Sequence, residues 1–256
     1  MTGERCDDRR VFQIAGADRV SFLQGLVTND VGQLGGGRPD GGLVYAALLS
    51  PQGKYLADFF LSETAEAILL DVKETIADAV VRRLGMYRLR ADVAITASDL
   101  KVQRGIGPMP QGGFADPRDA SLGWRLYSGV EGSAPVIDWD ALRVAGCIPE
   151  TGIELIPDDT YILEAGFERL HGVDFRKGCY VGQEVTARMK HKTELRKGFV
   201  TVGIDGVVPV GAEIVAGGKP VGQIFTQSGG RAIAYLRFDR IGDGMMAGEA
   251  RVTGIG

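Results

Sequence analysis

Residues 43–62 read LVYAALLSPQGKYLADFFLS, two apolar runs of strand length separated by Pro51-Gln52-Gly53. Proline presets the φ of a turn and glycine tolerates its exit, so the stretch predicts a β-hairpin of Leu43–Ser50 and Lys54–Ser62. Period two along the second run puts Tyr55, Ala57, Phe59 and Leu61 on one face and Leu56, Asp58, Phe60 and Ser62 on the other. Asp58 is thereby left between two large apolar neighbours. Two readings of it stay open: a carboxyl in an apolar setting, suited to proton transfer at a nitrogen, or an aspartate bonded to backbone or to a cation in a strand bend.

Outward from the hairpin, strands and helices mix. Val11–Ile14 reads as a strand, and Ala17–Val27 as a helix with Val20, Leu23 and Val27 on one stripe, ending in the polar Thr28-Asn29-Asp30. Residues 35–42 are a glycine-rich loop without the Lys-Ser/Thr ending of a phosphate cradle. On the other side come a strand at 67–72, a helix at 74–84 and a strand at 88–96. Connection dominates 105–132 apart from a strand at 122–127, and helices are expected at 138–145 and 160–170, the latter ended by Gly172. From Lys197 the pattern becomes short alternating runs at 198–204, 212–216, 219–227, 231–238 and 249–253, with Gly217-Gly218 as a hairpin turn. That is a small barrel-like β unit, and the fold class is α+β.

Composition bounds the function. At 256 residues the chain is longer than one typical domain, and 45% hydrophobic with 24% charged residues suits a folded core. The 29 basic and 33 acidic side chains, a formal charge of −4, offer no global attraction to nucleic acid. The longest uninterrupted apolar run, Leu43–Leu49, is far short of the roughly 20 residues of a membrane span, and residues 1–10 carry charges of both signs. No transit-like leader is seen, so the bacterial cytoplasm is expected, or the mitochondrial matrix if the source is eukaryotic. Cys6, Cys147 and Cys179 form no CxxC pair and are expected as reduced thiols.

Counting disposes of several chemistries. His171 and His191 are the only histidines and neither stands at a zinc-site spacing, while a serine triad lacks its G-x-S-x-G elbow. Three cysteines cannot hold a four-iron cluster alone, although one thiolate can serve as a transient ligand of a cluster shared with a partner. What remains is Lys177-Gly178-Cys179-Tyr180-Val181-Gly182-Gln183-Glu184. Its glycines bracket a turn, and Lys177 stands two residues from Cys179, where a cation favours thiolate. Cys179 is thus a candidate reactive thiol, against the reading of one more small buried side chain. Downstream, Arg188, Lys190, Lys192, Arg196 and Lys197 form a basic stretch that suits a polycarboxylate tail or is only a solvated face. Glu184 and Arg188, if helical, make an i, i+4 pair.

KGCYVGQE resembles the signature of the YgfZ family, folate-binding proteins that assist iron-sulfur enzymes. Residues 22–26 with Thr28-Asn29-Asp30, the Pro51–Lys54 turn, Leu122–Arg125, Arg143 through Glu150, and Gly172–Phe175 resemble the same family in order and spacing. Its broader relatives are the aminomethyltransferases (T-protein) of the glycine cleavage system. The resemblance implies a three-domain cloverleaf, with two discontinuous α+β domains (1–42 with 105–170, and 43–104 with 171–196) and a β-barrel over 197–256. It implies tetrahydrofolate or a derivative as cofactor, with Asp58 at the reaction centre and Asn29, Asp30, Arg143, Glu184 and Arg188 around the ligand. Cys179 would be the essential thiol, Lys177 its tuner, and the partners iron-sulfur assembly proteins and client cluster enzymes. A tetrahydrofolate-dependent one-carbon transferase is the alternative. Against it, the stretch corresponding to the T-protein's Tyr-Thr-Gly-Glu reads Leu126-Tyr127-Ser128-Gly129. A pure binding scaffold is the third reading.

Overall fold

The computed structural model describes residues 3–34, 42–192 and 194–255, so the loop expected at 35–42 lies, apart from Gly42, outside the described residues. The chain divides into two compact units, residues 1–137 with 168–183 and residues 138–167 with 184–256. The first contains β1 (Glu4–Arg5), β2 (Arg9–Ala15), α1 (Arg19–Gln24), β3 (Leu43–Leu49), β4 (Tyr55–Glu63), β5 (Ala67–Lys73), α2 (Glu74–Tyr87), β6 (Ala94–Ala97), β7 (Lys101–Gly105), β8 (Phe114–Ala115) and β9 (Trp124–Ser128).

The predicted hairpin is β3–β4, the start of a five-stranded sheet in the order β3-β4-β5-β2-β6. Alternation along its strands sends Val44, Ala46, Leu48, Ala57, Phe59, Leu61, Ile68, Leu70, Val72, Phe12 and Ile14 to one face. There they pack with Leu23 of α1 and with Ala77, Val80 and Leu84 of α2, whose 3.6-residue stripe matches the sheet. On the opposite side of β2 and β5, Val11 and Leu69 pack with Cys6 and Val102, the latter from the four-stranded sheet β1-β7-β9-β8.

The α+β class stands, whereas the strand pairing departs from the expected domain partition. The partition implied by the resemblance separates residues 1–42 from 43–104, yet β2 pairs with β5 along its whole length and with β6 on its other edge. Non-local pairing recruits the N-terminal strand into the middle of the sheet, and periodicity cannot report such a partner. The strand expected at 88–96 shrinks to β6. Leu89 adopts φ 44°, which ends α2 in a turn and not in extended chain.

The second unit holds α3 (Trp139–Gly146), most of α4 (Gln183–Lys192), and β10 (Lys197–Asp205), β11 (Glu213–Ala216), β12 (Lys219–Ser228), β13 (Arg231–Arg237), β14 (Met246–Ala247) and β15 (Ala250–Ile255). These strands close a barrel in the order β10-β13-β12-β11-β14-β15 around Val202, Ile214, Ile224, Ala234 and Leu236. Gly217 and Gly218, at φ 54° and 75°, make the β11–β12 turn that only left-handed residues allow. Asp138 caps α3 by accepting from the Ala141 amide at 2.9 Å. The helix expected at 160–170 does not form: Gly166 at φ 74° interrupts the ladder, and the segment is a run of turns.

Candidate functional site

Lys177 to Gln183 forms a loop pinned on several sides. Gly178 and Gly182 take φ 97° and 83°, and a Cβ on Gly182 would lie 2.5 Å from the Ser50 carbonyl, so the loop sits directly on the hairpin turn. Tyr180 is buried, and Val181 packs against the core of the five-stranded sheet. Gln183 closes the loop by donating its side-chain amide to the Gly178 carbonyl at 2.9 Å. Cys179 is held out to solvent, whereas Cys6 is buried and Cys147, half-buried, is the left-handed cap of α3. Burial pushes the Cys6 thiol up and out of nucleophilic use.

The Lys177 ammonium donates to the carbonyls of Gln24 and Val27, the latter at 2.9 Å, and lies 5.0 Å from the centre of the Tyr180 ring. Half-burial brings its pKa down to about 8, opposed by Asp30, Asp174 and, last, Cys179. Gln24 answers by donating to the Lys177 carbonyl at 3.1 Å and to Asp30 at 2.9 Å, and by accepting from the Val31 amide. Asp30 also caps the short helical turn that follows it, through the Gly32 amide. The Asn29 side chain donates to the carbonyls of Tyr45 and His171, and Thr28 bonds the Gly172 carbonyl and the Ala47 amide. Residues 24–30 therefore tie β3 to residues 171–177, and the expected ligand-binding groups of Asn29 and Asp30 are engaged with the protein itself. A cleft of about 690 Å3 opens beside them, lined by Asn29, Tyr45, His171, Asp174 and Arg176 among others.

Asp58 is buried, but its neighbours are not the apolar pair expected. It accepts from the Tyr45 hydroxyl at 3.0 Å and the Tyr55 hydroxyl at 2.7 Å. Tyr55 reaches it because the β3–β4 register slips between Leu48 and Leu49, opposite Ala57 and Tyr55 respectively. This bulge moves Tyr55 off the Ala57 face and leaves Leu56 there, against the apolar core. Tyr45 is also among the residues that line the cleft, and it is fully buried.

On the same face of the sheet lies a set of charges that the pattern analysis missed. Asp71, fully buried, accepts from Arg9 at 2.6 Å, Arg125 at 3.0 Å and the Tyr127 hydroxyl at 3.0 Å. Asp116 accepts from Arg118 at 2.8 Å and Arg125 at 3.3 Å, and the Arg118 and Arg125 guanidiniums lie 4.8 and 3.9 Å from the Phe60 ring centre. Burial opposes the Asp116 charge, yet Arg118 and Arg125 overcome it and hold that carboxyl below its ordinary value. The signal was available, since Asp71 interrupts the otherwise apolar strand 67–72 as Asp58 interrupts the second strand of the hairpin.

In the second unit, Arg143 is buried and its guanidinium is enclosed by Ile148 O, Glu154, Thr226, Asp140 and Glu150, all within 3.1 Å. The expected cofactor contact meets a clamp between α3, residues 148–154 and β12, because a planar fork of five donors satisfies such a junction. Glu184 and Arg188 are exposed one turn apart on α4. A cleft of about 570 Å3 is lined by Glu164, Arg196, Lys197, Tyr235, Arg237 and Arg240 among others. Glu164, another residue the sequence reading passed over, is buried and accepts from the Tyr235 hydroxyl at 2.6 Å, with Lys197 at 3.7 Å. Among the described residues no group of three His, Cys, Asp or Glu side chains is placed to hold a metal ion, and no helix is long and apolar enough to cross a membrane.

The fold is that of a solved structure of the glycine cleavage system aminomethyltransferase T from Bartonella henselae. The match has a TM-score of 0.74 at 16% identity over 98% of this chain and 85% of that one. The class is thus an α+β protein of the aminomethyltransferase fold with a closed six-stranded C-terminal barrel and an exposed cysteine on an anchored loop. Residues 196–255 match the family model described as CAF17, C-terminal beta-barrel domain. The chain is 30% identical to the mitochondrial iron-sulfur cluster assembly factor IBA57 of Mus musculus and equally to that of Homo sapiens, over 93% of this chain and 78% of each relative. It is 32% identical to the homologue of Mycosarcoma maydis, over 75% of this chain and 54% of that one. The chain belongs to the IBA57 family.

Proposed function

We propose that this protein is an accessory factor for the assembly, maintenance or repair of four-iron cluster enzymes, of the YgfZ type, acting through the Cys179 thiol. The observation that carries the reading is the placement of the three cysteines: Cys179 alone is exposed, on a loop whose other side chains are spent on anchoring it. Family membership supports the direction of the chemistry, since the mouse and human relatives bear the name iron-sulfur cluster assembly factor. A thiolate so presented can ligate a transient cluster or enter thiol exchange with a partner, and partners would be assembly proteins and client enzymes.

Tetrahydrofolate or a derivative is the proposed cofactor. The cleft of the second unit fits its chemistry: a buried carboxylate, Glu164, suits the N–H donors of a pterin ring, and the cations Arg196, Lys197, Arg237 and Arg240 suit a carboxylate tail. When bound, the cofactor supplies a carrier of one-carbon units. The residues of this chain hold and orient it. Glu184 and Arg188, on α4 in the same second unit, are proposed to contact the ligand. Asp58, with Tyr45 and Tyr55, is a separate candidate proton-transfer group within the first unit. Either the bacterial cytoplasm or the mitochondrial matrix suits such a factor.

The test is complementation under oxidative stress. In cells lacking this protein, the wild type restores the activity of a four-iron enzyme and Cys179→Ala, at equal protein level, does not. Full restoration by Cys179→Ala would remove the thiol from the mechanism. Folate is tested separately by calorimetric titration with tetrahydrofolate, where Glu164→Gln weakens binding about tenfold or more, and unchanged affinity would move the ligand elsewhere.

A further inference from the structure

Cys179 is far from the N-terminal segment in sequence, yet that segment holds the loop that carries it. Gln24 and Lys177, 153 positions apart, bind each other reciprocally: the Gln24 side chain donates to the Lys177 carbonyl, and the Lys177 side chain donates to the Gln24 carbonyl. We propose that Gln24 is a positioning residue for Cys179, acting through the backbone of Lys177, and that Lys177 serves as the other half of this clasp and not as the electrostatic activator of the thiol. The proposal rests on the reading of Cys179 as the working thiol.

The hydrogen-bond pattern makes the case. Both ends of the Gln24 amide are committed, the nitrogen to the Lys177 carbonyl and Asp30, the oxygen to the Val31 amide. This fixes the rotamer of Gln24 and therefore the place where the loop begins. The loop is then held at Lys177, Tyr180, Gly182 and Gln183, while Gly178 and Cys179 stay exposed between the anchors. Anchors on both sides of a two-residue exposed segment restrict where the sulfur can stand. Releasing the Gln24 end frees one arm and leaves the Gly182 and Gln183 end in place.

Charge, by contrast, is poorly deployed for activation. The Lys177 ammonium is directed at the carbonyls of Gln24 and Val27 and lies over the Tyr180 ring. A neutral amine keeps two N–H donors for the same two carbonyls, so the clasp does not depend on protonation.

Three readouts on the full-length wild type, Gln24→Ala, Gln24→Glu and Lys177→Met test this. Gln24→Glu is close in shape, keeps the acceptor for Val31 and loses the donor to Lys177, which preserves the test if Gln24→Ala folds poorly. Hydrogen exchange read by mass spectrometry is expected to speed up about tenfold or more at the amides of 177–183 in each variant, with the barrel peptides unchanged. The pH midpoint for alkylation of Cys179 by iodoacetamide, followed by peptide mapping, is expected to stay put in Lys177→Met. The activity of the four-iron enzyme in complemented cells is expected to fall about fivefold or more in Gln24→Glu. Unchanged exchange at 177–183 in both Gln24 variants overturns the clasp. A rise of about one unit in the alkylation midpoint of Lys177→Met overturns the assignment of Lys177 and returns it to activation by charge. If Cys179→Ala restores full activity, the underlying reading fails, while exchange and alkylation still decide the clasp independently.

Discussion

Tyr55 donates its hydroxyl to Asp58 at 2.7 Å although three residues along a regular strand point to opposite faces. The register slip between Leu48 and Leu49 brings the two together, and Tyr45 completes the arrangement from the paired strand. Both hydroxyls are buried with the carboxyl they serve, and burial followed by the neighbouring Asp58 raises the Tyr45 pKa. A strand that alternates by rule thus delivers two tyrosines to one carboxyl because it breaks the rule once.

Tyr55→Phe removes one of these bonds and leaves a buried acceptor less satisfied. The expected cost is about 1–3 kcal/mol, read as a lower urea midpoint with unchanged slope. Tyr45→Phe is expected to behave alike, and the double variant to depart from additivity because the two hydroxyls share one carboxyl. Additive effects would mean that the two bonds are independent.

Asp71→Ala leaves Arg9, Arg125 and the Tyr127 hydroxyl facing each other without their common acceptor. Breaking a buried charge network in this way costs about 3–5 kcal/mol. Thermal unfolding measures it. A loss below about 1 kcal/mol would show that the cations find other partners.

Stability should fall in acid partly through Asp116. Its folded pKa lies below the ordinary 3.8, so its contribution is complete above that value and is lost as pH drops through the folded pKa. Asp116→Asn is expected to be less stable at pH 6 and to show a shallower decline between about pH 4 and 2. Parallel curves for the two proteins would contradict the assignment.

Lys177 acts in the same pH sense but in the alkaline range. Its folded pKa of about 8 lies below the ordinary 10.5, so between these values the unfolded chain binds the extra proton and stability rises with pH. Lys177→Met should lack this component of the rise. Urea midpoints of the two proteins from pH 7 to pH 10.5 provide the comparison, and identical slopes would count against the burial of the ammonium.

Gly182→Ala places a methyl 2.5 Å from the Ser50 carbonyl at a φ of 83° that alanine resists. A cost of about 1–3 kcal/mol is expected. Loosening should be local, so faster exchange at 177–183 with an unchanged barrel is the signature.

The amino-acid sequence alone determined the elements whose cause is local. Pro51 and Gly53 set the hairpin, the 3.6-residue stripe of Ile76, Val80 and Leu84 set α2, and Gly217-Gly218 with alternating runs set the barrel strands. It also singled out the loop around Cys179, because glycine spacing and a lone thiol beside a lysine are features of eight consecutive residues. Tertiary structure decided whatever depends on a partner distant in the chain. It put β2 in the sheet with β5, turned Tyr55 toward Asp58, assembled Asp71 with Arg9 and Arg125, enclosed Arg143 against Thr226, and sent the Lys177 ammonium to Gln24 instead of to the thiol. The reason is physical: periodicity reports which face a side chain takes, whereas the bond a buried polar group makes depends on which donor or acceptor packing brings within about 3 Å.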